Sequence, residues 1–152
     1  MPECVFCDII GGDRPADIVL DEPDVVAFLD NRPLFPGHVL VVPRSHTATI
    51  EEVDDAAAGP LLSAVRRTAR AVRTGLDAEG TFVAANNVVS QSVPHLHFHV
   101  VPRRRGDGLR GFFWPRIGYS DDAHRLEVAA RIRRLLRPGG DPEGAEGNQL
   151  GL

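Results

Sequence analysis

The sequence predicts an α+β fold: a mainly antiparallel sheet of five strands, one long helix, and a second helix towards the C-terminus. Three observations carry this. Short apolar runs rich in β-branched and aromatic residues, each bounded by Pro, Gly, Asp or Asn, have the length of strands. One long stretch repeats its apolar residues at three- and four-residue steps, the period of a helix with one face on a core. Strands grouped around a single helical insertion do not alternate with helices as βαβ units would.

In chain order, "DIVLDE" (17–22) is the least apolar of the strand patterns. "VVAFLD" (25–30) and "HVLVVP" (38–43) follow as short runs, the second opened by Pro36-Gly37. The helical insertion places Leu61, Val65, Ala69, Val72 and Leu76 on one face and Arg66, Arg67, Arg70 and Arg73 on the other. "TFVAAN" (81–86) and "HLHFHVVP" (95–102) supply two more strands. The C-terminal helix carries Val128, Ile132, Leu135 and Leu136, starts after the N-cap-like "YSDD", and stops before Pro138-Gly139-Gly140. The sequence thus divides into one domain over 1–137 and a Gly-rich acidic tail, 138–152, with too little to bury to be anything but disordered.

Composition excludes several classes of function. The chain has 152 residues, enough for one domain with a real core. Its longest aliphatic runs, such as "VLVV", are far too short to cross a bilayer, and its N-terminus lacks the basic and apolar order of a signal peptide. A cytoplasmic protein with no membrane partner is expected. The formal charge of -4 argues against general nucleic-acid binding, although all 17 basic residues are arginine.

Chemistry concentrates in "SQSVPHLHFHVVPR" (90–103), where three of the six histidines fall at alternate positions. On a strand His95, His97 and His99 share one face while Leu96, Phe98 and Val100 fill the other. Neighbouring histidines are then ~6.5 to 7 Å apart at Cα, close enough for two to converge on an ion but awkward for three. A division of labour between metal and substrate fits that spacing better. Cys4 and Cys7 have the two-residue spacing of a zinc knuckle and need two further ligands; His46 and one histidine of the run are available. The alternative for the cysteines is a redox pair, here without the βαβ context of a thioredoxin-like motif.

These segments resemble the histidine triad (HIT) superfamily, in its zinc-bearing Hint-like or bacterial HIT branch. The resemblance rests on "HLHFHVV", on "CVFCDIIGGDRPA", on "AFLDNRPLFPGHVLVVPRSH" and on "NNVVSQSVPHLHFHVVPR", covering roughly 4–114. It implies a HIT-like fold, a homodimer in which two sheets join, and reaction at the α-phosphorus of adenosine or other purine nucleotides. Substrates would be phosphoramidates, acyl adenylates or dinucleoside polyphosphates. The resemblance makes His97 the nucleophile, forming a nucleotidyl-histidine intermediate. His99 would contact the phosphate, His38 would support the nucleophile, and Ser92 would help the leaving group or a nonbridging oxygen. Asp30 matches the acceptor for the ribose hydroxyls, Phe28 and Leu29 the walls of the base pocket. Gln91 and Asn86 match the phosphate loop, and Trp114 an aromatic residue reaching the partner's site. The zinc ligands would be Cys4, Cys7, His46 and His95, a closed and therefore structural set.

Two features depart from the family pattern. Ser90 stands where a glycine is usual, and Pro94 precedes the first histidine in a shortened loop, so the phosphate loop is expected to have its own shape. Arg103, Arg104 and Arg105 fit a solvated turn, or a counter-charge for a polyphosphate leaving group. Two rival functions remain at this level: a metallohydrolase that holds catalytic zinc on the three histidines, and a nucleotide-binding module with little turnover.

Overall fold

The computed structural model describes residues 3–110 and 117–136. The chain forms two compact units, one ending at Leu109 and one beginning at Arg110. The first holds α1 (Val5–Gly11), β1 (Ile18–Asp21), β2 (Val25–Leu29), β3 (Val39–Pro43), α2 (Asp55–Gly75), β4 (Gly80–Ala84) and β5 (Phe98–Arg103). The sheet order is β1-β2-β3-β5-β4, antiparallel throughout, as expected of the α+β class. Described by itself, the second unit contains α3 (Asp122–Leu136), where Asp121 Oδ1 accepts the His124 N–H at 2.7 Å as an N-cap. The tail expected at 138–152 and Trp114 lie outside the described residues. Among the described residues, no helix is long and apolar enough to cross a membrane.

The long helix forms where its periodicity places it. Asp54 caps its first turn by accepting the Ala57 N–H at 2.8 Å, and Leu61, Ala64, Val65, Thr68 and Val72 are its buried stripe. That stripe packs with Val25, Ala27, Val39, Val41, Leu96 and Val100 from one face of the sheet. At the far end the Arg104 guanidinium donates to the carbonyls of Leu76 and Asp77, both at 2.6 Å, satisfying groups that a helix C-terminus leaves open.

The opposite face is also covered, by a helix the strand and helix patterns above do not include. Phe6 of α1, with Val5, Ile9 and Ile10 around it, packs on Val26, Phe28, Leu40 and Val42. Both central strands are therefore apolar on both faces, which is why "VVAF" and "VLVV" run unbroken instead of alternating. A seven-residue helix is too short to show a convincing period, and its cysteines read as a knuckle. Its signal was Phe6, Ile9 and Ile10 at i, i+3, i+4, followed by Gly11-Gly12. Gly12 takes φ 85°, its N–H donates to Ile9 O at 3.1 Å and that of Asp13 to Asp8 O at 2.9 Å, a Schellman ending.

One boundary differs from expectation. β5 begins at Phe98, not His95, because Pro94 just upstream has no N–H to give a ladder and the chain enters the sheet through a bent segment. The side-chain alternation nevertheless persists through that segment: Leu96 and Val100 are fully buried towards α2, and the histidines face α1. The arginine run leads, as expected, from the end of β5 into a turn, which is held by specific bonds. Arg103 makes a two-pronged contact to Asp107, at 2.6 and 3.0 Å, which holds the Asp107 carboxyl well below the usual carboxylate range.

Candidate active site

A cleft of about 700 Å³ lies on the α1 side of the sheet. Its floor is a cross-strand row. His99 on β5 is opposite Leu40 on β3 and Leu40 opposite Phe28 on β2; Phe28 is in turn opposite Ile18 on β1, next to Asp17 at the cleft edge. Val5, Phe6 and Ile9 of α1 wall one side, and His97 and His99 close one end with Ser92 and Val93. Phe6 stands edge-on to His97, His95 and Phe28, with ring centroids 5.2, 5.9 and 5.3 Å away, so α1 fixes the two imidazoles by packing.

Hydrogen bonds assign the protons. His97 Nδ1 lies 2.7 Å from the carbonyl of its neighbour His95, which can only accept, so Nδ1 carries the proton. Nε2 then presents a lone pair. Among the described residues it has no hydrogen-bond partner, and no fully buried side-chain nitrogen there goes unpaired, so this atom opens on the cleft. The second pair resolves in the same way. The Leu34 N–H donates to His38 Nδ1 at 3.1 Å, which places the His38 proton on Nε2. Nε2 donates to His99 Nδ1 at 2.9 Å, leaving His99 with its own proton on Nε2. The result is a nucleophilic nitrogen on His97 and an N–H donor on His99, their ring centroids 4.9 Å apart.

Burial keeps both supporting rings neutral. It is the main cause that pushes His99 down to about 4, with the neighbouring His97 and His38 adding to it and Asp30 opposing. Burial also lowers His38, against the raising influence of Asp30. Asp30 itself sits just after β2, accepts the Arg32 N–H on Oδ1 at 2.8 Å, and lines the cleft.

The four sulfur and nitrogen groups proposed for metal also meet. Cys4 and Cys7 flank the first turn of α1, His46 follows β3, and His95 enters β5; their ligand atoms all lie within 4.8 Å of one another. His95 Nδ1 is 3.5 Å from Cys4 Sγ and 3.6 Å from Cys7 Sγ, and His46 Nδ1 is 3.3 Å from Cys7 Sγ. A tetrahedral ion with Zn–S of ~2.3 Å and Zn–N of ~2.0 Å holds sulfur and nitrogen ~3.5 Å apart, so the donor set fits. His95 Nε2 donates to Pro43 O at 2.8 Å, which turns the Nδ1 lone pair towards the sulfurs. Without an ion the crowding is unfavourable: burial first, then Cys4 and Asp8, push the Cys7 thiol up to about 11. A bound cation removes that penalty by stabilising thiolate. The three histidines of the run therefore do not converge on one ion among the described residues. His95 belongs to the cysteine group, His99 to a group with Asp30 and His38, and His97 to neither.

Of the residues proposed from the sequence, Phe28, Leu29, Asp30, Ser92, His97 and His99 line one cleft, with His38 directly behind His99. Gln91 and Asn86 are placed differently, on bonds that brace their own loop and tie it to the segment after β3. Gln91 accepts the Val88 N–H at 3.0 Å and donates to Ala48 O at 2.7 Å; Asn86 donates to Ser90 O at 3.1 Å. This bracing holds Val88 and Ser90 at φ 63° and 62°, the left-handed region that the missing glycine would occupy without cost. The α1 wall of the cleft, and Arg14, Asp17, Asn31 and Arg32 along it, were not singled out from the sequence.

The HIT domain model matches residues 12–106. The adenosine 5'-monophosphoramidase of Schizosaccharomyces pombe is 30% identical over 135 residues, 86% of this chain and 98% of that one. The crystal structure of a HIT family member from Bacillus subtilis superposes with a TM-score of 0.79 at 33% identity, covering 90% of this chain and 99% of that one. A Zn-bound histidine triad family protein from Mycobacterium smegmatis gives 0.67 at 36% identity, over 86% and 94%. The overall architecture is thus shared with solved HIT structures, and with the domain model matching most of its length the chain belongs to the HIT domain family.

Proposed function

We propose that this cleft catalyses displacement at the α-phosphorus of a purine nucleotide, in two steps through His97. In the first, the Nε2 lone pair of His97 forms a bond to phosphorus as the bond to the leaving group breaks, and the departing amine or phosphate takes up a proton from solvent. In the second, water attacks the same phosphorus as the P–Nε2 bond breaks; the water gives a proton back to solvent, His97 regains its lone pair and the nucleoside monophosphate is released. The observation that carries this reading is the His97 tautomer: Nδ1–H is spent on the His95 carbonyl, so the free nitrogen is the one facing the cleft. As positive charge develops on the ring, that same carbonyl stabilises it.

The neighbouring groups take complementary parts. His99 Nε2–H and the Ser92 hydroxyl donate to the nonbridging oxygens or the departing group. His38 holds His99 in the tautomer that can donate. Asp30 accepts from the ribose hydroxyls, and Phe28 and Leu29 hold the base, while Gln91 and Asn86 shape the loop that carries Ser92. Zinc, when bound to Cys4, Cys7, His46 and His95, ties α1 and the segment after β3 to the residue two before the nucleophile. With all four positions filled by protein the ion has no place for substrate, so its contribution is structural. The adenosine 5'-monophosphoramidase name of the fission-yeast relative supports hydrolysis of a nucleotide. A cytoplasmic homodimer, its sheets joined across an edge strand, is the assembly we infer.

Incubation with adenosine and guanosine phosphoramidates tests the reaction. Wild type should release the monophosphate, and His97→Ala should be slower by at least ~1,000-fold. Release at the wild-type rate by His97→Ala would remove the nucleophile from this account, and binding without release would make the protein a nucleotide-binding module.

A further inference from the structure

The cleft continues beyond the groups used above, and its far end carries two unmatched charges. The cross-strand row His99, Leu40, Phe28, Ile18 acts as a ruler, with three inter-strand steps of ~4.8 Å each between β5 and β1. At one end are the histidines, after two steps Phe28 and Asp30, and at the third the segment entering β1. Phosphorus, ribose and base would fall in that order. Arg14 and Asp17 both line this third station, alongside the apolar walls Ile9 and Phe28. Asp17 is held there by its own backbone, whose carbonyl accepts the Leu29 N–H at 3.0 Å, and Arg14 by its N–H to Asp8 O at 3.1 Å after the glycine ending of α1.

Neither side chain is committed elsewhere. Among the described residues, the Asp17 carboxylate and the Arg14 guanidinium make no hydrogen bond and no ion pair, in contrast to Arg67, Arg103 and Arg104, which are all engaged. A carboxylate and a guanidinium together offer two acceptors and a fork of donors. Guanine matches that pair. Its N1–H and N2–H groups can donate to the carboxylate, and its O6 and N7 accept from a guanidinium. Adenine presents an unprotonated N1 to the same carboxylate, where lone pairs repel, and has a donor in place of O6.

Resting on the proposed nucleotide reaction, we infer that Asp17 and Arg14 read the polar edge of the base and bias this cleft towards guanine nucleotides. The ribose and phosphate groups are common to both purines, so the discrimination resides in these two side chains.

Equilibrium binding separates this inference from the reaction itself. Titration of the full-length protein with GMP and with AMP should give a Kd lower for GMP by ~10-fold or more, the discrimination expected of one good bidentate pair. In Asp17→Asn, and separately in Arg14→Ala, the ratio should shrink to within about twofold or invert. Both positions are exposed, so neither change removes core packing. Equal affinity for GMP and AMP in wild type, or a preference untouched by both substitutions, overturns the inference. Turnover without base preference would leave the reaction standing and sink only the guanine reading; a GMP preference without turnover would do the reverse. Binding of neither nucleotide would overturn both.

Discussion

A proton on the wrong nitrogen would disarm His97, and the backbone decides which nitrogen carries it. The His95 carbonyl, 2.7 Å from Nδ1, leaves one tautomer for the neutral ring. The alternate spacing of the histidines was legible in the sequence, and the proposed division of roles matches where they sit, His95 beside the cysteines and His97 and His99 on the cleft. The tautomers were not legible, because they depend on carbonyls and N–H groups brought up by chain segments as distant as Leu34. The same burial that keeps His38 and His99 neutral makes stability depend on pH. Their folded affinity for protons is below that of an unfolded histidine at ~6.5, so the unfolded chain gains protons first on acidification. The stabilisation is complete above ~6.5 and is lost as pH falls towards the folded value of about 4 for His99. The melting temperature of chelator-treated protein should therefore be flat above pH ~7 and fall between pH ~6.5 and ~5, before most carboxylates titrate. A flat profile down to pH ~5 would contradict the protonation pattern.

At the scale of elements, α1 and the loop before β5 position His97, the proposed nucleophile. The sequence pointed to Cys4, Cys7, His46 and His95 as partners but not to the helix that carries the cysteines, since seven residues give little periodicity. If zinc clamps α1 to the His95 segment, Cys7→Ser should lower the melting temperature by ~5 °C or more, as loss of several kcal/mol does in a domain of this size. An unchanged melting temperature, with no metal found in the wild type, would remove zinc from the account. The loop makes a separate prediction. Val88 is β-branched, 75% exposed and held at φ 63°, so Val88→Gly relieves ~1–2 kcal/mol of left-handed strain and costs ~0.5–1 kcal/mol in chain entropy. A net gain of about 0.5–1 kcal/mol should appear as a higher urea midpoint. That strain was foreshadowed by Ser90 in place of a glycine, but the sequence alone could not say that the glycine's conformation survives without the glycine.

At the scale of the whole molecule, the fold follows from a sheet buried on both sides. The unbroken apolar runs at Val25–Phe28 and Val39–Val42 pointed to strands, and the structure gives the reason: α2 covers one face and α1 the other. Strand order was not legible, because the patterns fix which residues pair inward but not which strand lies beside which. That order leaves β4 as an edge, with Val83 41% exposed. If two sheets join there, light scattering should give twice the 16.5 kDa chain mass, and Val83→Lys should shift the protein towards monomer. A wild type that stays at one chain mass at high concentration would rule the joined sheet out.

The order of groups across that sheet, from His97 and His99 past Asp30 to Asp17 and Arg14, is what the proposed covalent step is built on. Rapid acid-free quenching of the protein with a purine nucleoside phosphoramidate, followed by peptide mass spectrometry, tests it most directly. A nucleoside monophosphate adduct should appear on the peptide containing His97, and no adduct should form on His97→Ala. Steady turnover with no adduct under single-turnover conditions, or an adduct on His95 or His99 in its place, would contradict it.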